Sequence, residues 1–398
     1  NEIPAETTLH LPFALALYGA DRLLVADRNH FRLRQVGLEG QTVETVAGNG
    51  KSFFRGDGGP GPGATLDAPS GIVVDSQNNV LFADRLHHRI RRVSPDGSIH
   101  TVFGNGKQGN EGNGGMARNA TLHLPETIAI DHMDNVYVTS RSGNGWIVRR
   151  VDREGVITHF AGNGRQGNTG DGGPAVEASF HTISDITTDR KGNVYITDII
   201  NRNIRKIDTE GTVTTVAGAN LVSLGEEVHP NGIAIDSAGN IFFSDSGSSK
   251  VRRIGVGGDI AVVAGSGDFA DHGDGGSALE AGVRSPGGLA IGPDGALYIV
   301  EQTSHRIRKV DAGGIISRKA GNGMPGYGGD GGMAVEAGIK GPFRMMFDQR
   351  GNLYFSDRDN NRIRKIDTNG IIHTVAGHSN IGWVQDGLEV HITVHNFP

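Results

Sequence analysis

The sequence predicts an all-β fold, a seven-bladed β-propeller of four-stranded blades with six blades as the runner-up, and three observations predict it. Short runs rich in β-branched and aromatic residues are punctuated by turn residues throughout. One unit of four such runs returns seven times at a period of about 56 residues. A proline marks the same point before the first run in six of the seven copies: Pro12, Pro69, Pro125, Pro230, Pro286 and Pro342, with Ile183 in the fourth.

The unit is clearest between Gly71 and Gly104, GIVVDSQNNVLFADRLHHRIRRVSPDGSIHTVFG. Ile72 to Asp75 reads as the first strand and Val80 to Asp84 as the second, with Gln77, Asn78 and Asn79 as the turn. Arg89 to Val93 is the third, and beyond the turn Ser94-Pro95-Asp96-Gly97 the run Ile99 to Phe103 is the fourth. These runs are too short and too β-branched for helices. A lone meander leaves its faces unburied, but copies stacked round an axis cover one another and protect their edges.

The expected blades are 12–68, 69–124, 125–182, 183–229, 230–285, 286–341 and 342–398, in a single domain 1–398. The segment 4–12 matches the linkers before later copies, so the chain starts inside a linker. Val390, Ile392 and Val394 alternate like a strand that adds to or covers an edge. Because each copy holds four strands of its own, ring closure needs no strand exchange between the ends.

The segments DRNHFRLRQV, DRLHHRIRRV, QTSHRIRKV and DRDNNRIRKI resemble the signature of NHL repeats over nearly the whole chain. The resemblance implies a propeller and leaves function open, since NHL propellers include protein-binding and RNA-binding modules, sensor domains and lyases.

Net charge is −6 with both signs interspersed, which offers no field for nucleic acid or an anionic membrane. Aromatics are 6%, few for a stacking platform, so a nucleic-acid-binding module ranks third among the functions. The absence of cysteine excludes disulfides, thiolate catalysis and thiolate metal sites. No apolar run is long enough to span a bilayer and no basic, apolar leader opens the chain. A soluble monomer is expected, with an extracytoplasmic or secreted location slightly favoured.

Between blades lie glycine-rich loops such as GNGRQGNTGDGG from Gly162 and GNGMPGYGGDGG from Gly321. Gly162, Gly164 and Gly167 satisfy a dinucleotide fingerprint, but a short polar segment leads back into a meander instead of opening a crossover helix. The loops read as turns in which glycine supplies positive φ and Asp171 or Asp330 bonds local amides, with calcium as the alternative. The third strand is basic in nearly every copy, while the second ends in Asp27, Asp84, Asp198, Asp245 or Asp357. Repetition at equivalent positions points to architectural pairing, and His30, His88 and His305 read the same way.

Positions that break the repeat are the candidates for a site at the channel mouth, where ligands of propellers bind. After the marker come Phe13, Ser70, Glu126, Ser184, Asn231, Gly287 and Phe343; one residue on, Asp185 and Arg344 replace small residues. Ser140 and Glu301 replace the aspartate that ends the second strand, and Arg141 follows Ser140. The candidate ligand-binding set is therefore Glu126, Arg141, Asp185, Asn231, Glu301 and Arg344, asymmetric toward blades three to five beside the short linker 219–229.

Glu126, Asp185 and Asn231 supply oxygen ligands suited to Ca²⁺ or Mg²⁺ and resemble the axial metal site of lactonase-type propellers, although Asp185 stands one residue later than the other two. His10, His123 and His181 occupy equivalent places two residues before the marker and form the alternative, zinc-binding set. No serine elbow, HExxH pair or acidic dyad appears, so no catalytic residue is assigned. The leading function is binding of a protein or small-molecule ligand at the mouth; the alternative is a metal-assisted lyase or lactone hydrolase.

Overall fold

A computed structural model describes residues 8–38, 42–218 and 228–377. The expected strand near Val390, most of the first linker and most of the linker 219–229 lie outside the described residues. Within them 28 strands, β1 to β28 in chain order, form seven antiparallel sheets of four consecutive strands each. That is a seven-bladed propeller. Among the described residues no helix is long and apolar enough to cross a membrane.

In the second blade the strands are Pro69–Val74, Val80–Asp84, Arg89–Val93 and Ile99–Phe103. The last three coincide with the sequence reading, whereas the first begins three residues earlier, at the marker proline. Proline is tolerated there because the first residue of a strand need not donate to the ladder. The Asp75 carboxylate shapes the first turn by accepting from the N–H groups of Gln77 at 2.9 Å and Asn79 at 2.8 Å.

The innermost strands are β1 (Pro12–Tyr18), β5 (Pro69–Val74), β9 (Ile128–Ile130), β13 (Ile183–Thr188), β17 (Pro230–Ile235), β21 (Pro286–Ile291) and β25 (Pro342–Phe347). All except β9 carry a register shift just after their first residue. A bulge releases one or two residues from the ladder and re-aims their side chains, so those after the marker turn to the mouth. In blade three the strand instead begins at Ile128, and Glu126 donates its N–H to the Thr139 carbonyl at 3.1 Å.

The core is divided among seven apolar clusters, each shared by two adjacent blades. Leu24, Leu33 and Leu66 meet Ile72 and Phe82 between blades one and two, for example. Leu23, Val25 and Val36 meet Tyr354, Ile363 and Val375 between blades one and seven. The ring thus closes through the same kind of interface it uses elsewhere, as four self-contained strands per copy predict. Non-directional burial, about 25 cal/mol per Å² of apolar surface, holds neighbouring blades together.

Close approach of the inner strands requires glycine. A Cβ on Gly71 would lie 2.9 Å from the Glu126 carbonyl, and one on Gly288 would lie 2.5 Å from the Phe343 carbonyl. The small residues one position after the bulged site therefore pack backbone on backbone, and the axis is narrow at this end.

Candidate functional site

A repeated ion pair frames the mouth. In six blades the acid ending the second strand is wholly buried, and Asp84 faces Arg91 at 3.2 Å, Asp245 faces Arg252 at 3.1 Å, and Asp357 faces Arg364 at 3.2 Å. The same acid receives a backbone N–H from the incoming linker, as Asp84 does from Asp67 at 2.7 Å. Buried charges demand such partners, so the basic third strand is scaffold, as its repetition implies.

The loop aspartates depart from expectation. Asp171 pairs with Arg205 at 2.8 Å and Asp330 with Arg364 at 3.0 Å, so they neutralise third-strand arginines instead of capping local amides. A two-nitrogen guanidinium edge can serve two carboxylates at once, which the turn geometry alone did not reveal. The signature histidines are scaffold too. His30 meets Asp27 at 3.0 Å, while Nδ1 of His88 and of His305 accept from the N–H groups of Leu124 and Gly341.

At the mouth the bulged positions bring Phe13 and Phe343 together, ring centroids 6.1 Å apart. Arg28 lies over Phe13 at 4.4 Å, and Arg358 and Arg344 lie over Phe343 at 5.1 and 5.4 Å. Glu126 sits between Arg85 at 3.3 Å and Arg28 at 3.8 Å, and Asp185 holds Arg344 at 2.7 Å. Burial holds the Arg28 guanidinium below its usual pKa, with Glu126 opposing the shift. These arginines outnumber Glu126, Asp185 and Asp359, the last beside Arg358 at 3.2 Å. The face is therefore locally basic in a chain of net charge −6.

The sequence-derived candidates separate here. Glu126, Asp185 and Arg344 belong to this rosette. Asn231 lines a recess of only ≈20 Å³ with Gly287, Phe343 and Arg344. Arg141 stacks on Trp146 at 4.6 Å. Glu301 is wholly buried against Arg308 at 3.4 Å, doing the work of the aspartate it replaces. The sequence shows Arg85 and Arg358 after the second-strand aspartate and Phe13 and Phe343 after the marker, but these residues stayed outside the candidate set; Arg28, the equivalent arginine of blade one, was passed over.

The two metal sets do not come together as ligand cages. Both carboxylates of the Glu126, Asp185 and Asn231 set are held by guanidinium groups. His10 packs edge-on against His30, His123 lies 5.9 Å from His88 between ring centroids, and His181 Nδ1 meets the Thr182 hydroxyl at 3.1 Å. Among the described residues no group of three or more histidine or carboxylate side chains is placed to hold a metal ion.

A cleft of ≈860 Å³ lies on the opposite face across blades four to six, lined by Asp189, Lys206, Ile235, Asp236, Val256 and Pro293. Gly255 and Gly292 are among its lining residues. Its carboxylates are occupied locally: Asp189 and Asp236 accept from Asn193 at 2.7 Å and Asn240 at 2.8 Å. It is larger than the recess at the mouth, but its two carboxylates are already committed to their own turns. The rosette is the better candidate.

Residues 68–325 match the family model described as SMP-30/Gluconolactonase/LRE-like region, and residues 321–387 match the Teneurin NHL domain. Protein SUPPRESSOR OF QUENCHING 1, chloroplastic, of Arabidopsis thaliana is 27% identical over 374 residues, 92% of this chain and 31% of its own length. NHL repeat-containing protein 2 of Bos taurus is 24% identical, covering 73% of this chain and 45% of its own. The chain thus spans less than half of either relative. A solved streptogramin B lyase superposes with TM-score 0.60 at 12% identity, over 94% of this chain and 97% of the lyase, a likeness of fold.

Proposed function

Since this chain belongs to the SMP-30/gluconolactonase/LRE-like family and is built of NHL-type blades, we propose that it is a binding module whose mouth face takes an acidic protein segment. The observation that carries this reading is the rosette itself: Arg28, Arg344 and Arg358 over the Phe13 and Phe343 rings, with Arg85 beside Glu126, and only ≈20 Å³ enclosed beside them. A shallow face suits an extended partner better than a small molecule, which needs a cavity of roughly 300 Å³ or more. Guanidinium forks bind carboxylates in pairs, and the phenylalanines supply apolar contact beneath them.

Fluorescence anisotropy with a labelled hexaglutamate peptide, hexalysine and a single-stranded oligonucleotide at low ionic strength tests the proposal. Hexaglutamate is expected to bind, and the Arg85→Ala/Arg358→Ala double variant to lose most of that binding. No binding of hexaglutamate overturns the proposal, and equal binding of the oligonucleotide reassigns the face to nucleic acid.

The enzymatic alternative, a metal-assisted lyase or lactone hydrolase, draws support from the family and from the lyase fold. It requires Arg28, Arg85 and Arg344 to release Glu126 and Asp185. A thermal melt with EDTA, Ca²⁺, Mg²⁺ or Zn²⁺ distinguishes it, because a ligand of the native state raises stability by mass action.

A further inference from the structure

Blade three lacks every acid that the other blades supply to one buried cation. Its strands β10 (Val136–Ser142) and β11 (Gly145–Val151) set Arg149 opposite Val138, the register that sets Arg91 opposite Phe82 in blade two. Arg149 is accordingly as buried as Arg91, Arg205, Arg308 and Arg364, with no exposed surface. The second-strand acid present in six blades, Asp27, Asp84, Asp198, Asp245, Glu301 and Asp357, is here Ser140. The loop aspartate that joins it elsewhere, as Asp57 joins Arg91 at 2.8 Å, is here Asn113.

The surrounding donors have lost their acceptor too. The linker N–H that meets the acid in other blades, from His10, Asp67, His181 and Lys340 among others, belongs here to His123, which has no carboxylate to meet. Three residues beyond the acid, His30, His87, Asn201, Ser248 and Asn360 donate to it, whereas blade three turns its hairpin at Gly143 and Asn144. Among the described residues Arg149 makes no ion pair; its Nη2 reaches the Glu111 carbonyl at 3.5 Å, while Nε and Nη1 have no partner. Burial with nothing to offset it holds the guanidinium down at about 10, still charged at neutral pH.

We infer that blade three binds a small monovalent anion of the halide class between Arg149, the Ser140 hydroxyl and the His123 N–H, in the place of the missing carboxylate. A buried guanidinium without a counter-charge is costly, and arginine cannot shed its proton to relieve it. Serine lacks the carboxylate that aspartate places here in other blades, and a monatomic ion replaces that charge with less bulk than phosphate or sulfate. The Ser140 hydroxyl donates to Asn110 Oδ1 at 3.4 Å, a long bond that it exchanges for the anion on binding. This site is separate from the mouth and does not depend on its reading.

The test uses the full chain, crystallised and melted in sodium bromide against sodium gluconate at constant ionic strength. An anomalous bromide peak beside Arg149 is expected, with a melting temperature that rises about 1–2 °C per tenfold bromide above the dissociation constant. Ser140→Asp, which brings its own carboxylate, is expected to lose the peak and the bromide response while keeping the wild-type melting temperature or exceeding it in gluconate. The Arg85→Ala/Arg344→Ala variant is expected to keep both, which separates this ion from anions at the mouth. A bromide-independent melt without a peak at Arg149 overturns the inference, as does an unchanged response in Ser140→Asp. A Glu111→Gln variant that loses stability in gluconate and gains a bromide response would assign the counter-charge to the Glu111 side chain and overturn it as well.

Discussion

The Arg344 guanidinium donates to the Asp185 carboxylate at 2.7 Å, joining blade seven to blade four across the axis from positions 159 residues apart. Both residues stand where neighbouring copies carry glycine or another small residue, so the pair fills space that backbone contact fills elsewhere. Both side chains are partly exposed, at 32% and 17%, which limits the coupling to about 1 kcal/mol in a double-mutant cycle. Because Asp185 occupies a donor that an acidic partner would use, Asp185→Asn is expected to tighten hexaglutamate binding severalfold and Arg344→Gln to weaken it. Anisotropy titrations of the two variants decide this, and parallel changes in both would count against a role for Arg344 in binding.

Asp84 and Glu126 are both paired with arginine, but in different surroundings. Asp84 is wholly buried with Arg91; removing it leaves Arg91 to Asp57 at 2.8 Å but takes the acceptor from the Asp67 N–H, so Asp84→Ala is expected to cost about 1–3 kcal/mol in urea denaturation. Glu126 is about one-fifth exposed, and Arg28 and Arg85 stay hydrated without it, so Glu126→Ala is expected to cost less than about 1 kcal/mol. Its effect should appear in peptide binding instead. Equal destabilisation by the two substitutions would place Glu126 in the scaffold.

The blade interior was legible because repetition separates scaffold from exception. The strands Val80–Asp84, Arg89–Val93 and Ile99–Phe103, and an architectural pairing of second-strand aspartates with the basic third strand, could be read from aligned copies; that Arg91 is the partner of Asp84 came from the structure. The mouth was legible only in part: Asp185 and Arg344 stood out as departures, but their meeting depends on how inner strands converge on the axis, which no single copy encodes. Phe13 and Phe343 looked like ordinary apolar residues until the bulges turned them together. The opposite cleft was missed because its lining is drawn from blades four, five and six together, which no single copy encodes.

Glycine at position 288 permits an approach that any side chain would block. A Cβ there would lie 2.5 Å from the backbone carbonyl of Phe343, and backbone cannot move aside as a flexible side chain can. Gly288→Ala is expected to push blades six and seven apart at the mouth, lowering stability by about 1–3 kcal/mol in urea denaturation. Gly97→Ala offers a comparison, since it has open space around it and a cost that comes only from its φ of +82°. A larger loss for Gly97→Ala would show that inner-strand packing is looser than this geometry requires.

Two buried acids make stability fall as pH rises. Burial pushes Glu301 up to about 7 against the pull of Arg308, and pushes Asp357 up to about 6 against its hydrogen bonds from Asn360 and Lys340 and the nearby Arg364. The folded chain therefore holds these protons at pH values where the unfolded chain has released them. Their stabilising contribution is complete below the ordinary carboxylate range and is lost as pH rises through about 6 to 7, at up to about 1.4 kcal/mol per pH unit for each group. Glu301→Gln should remove the upper part of that slope at little cost in fold, because Arg308 keeps Asp274 at 2.8 Å and Asp271 at 3.7 Å. Urea denaturation between pH 5 and pH 8, with and without the substitution, measures the difference; an unchanged slope would mean that Glu301 is ionised throughout and that Arg308 outweighs burial.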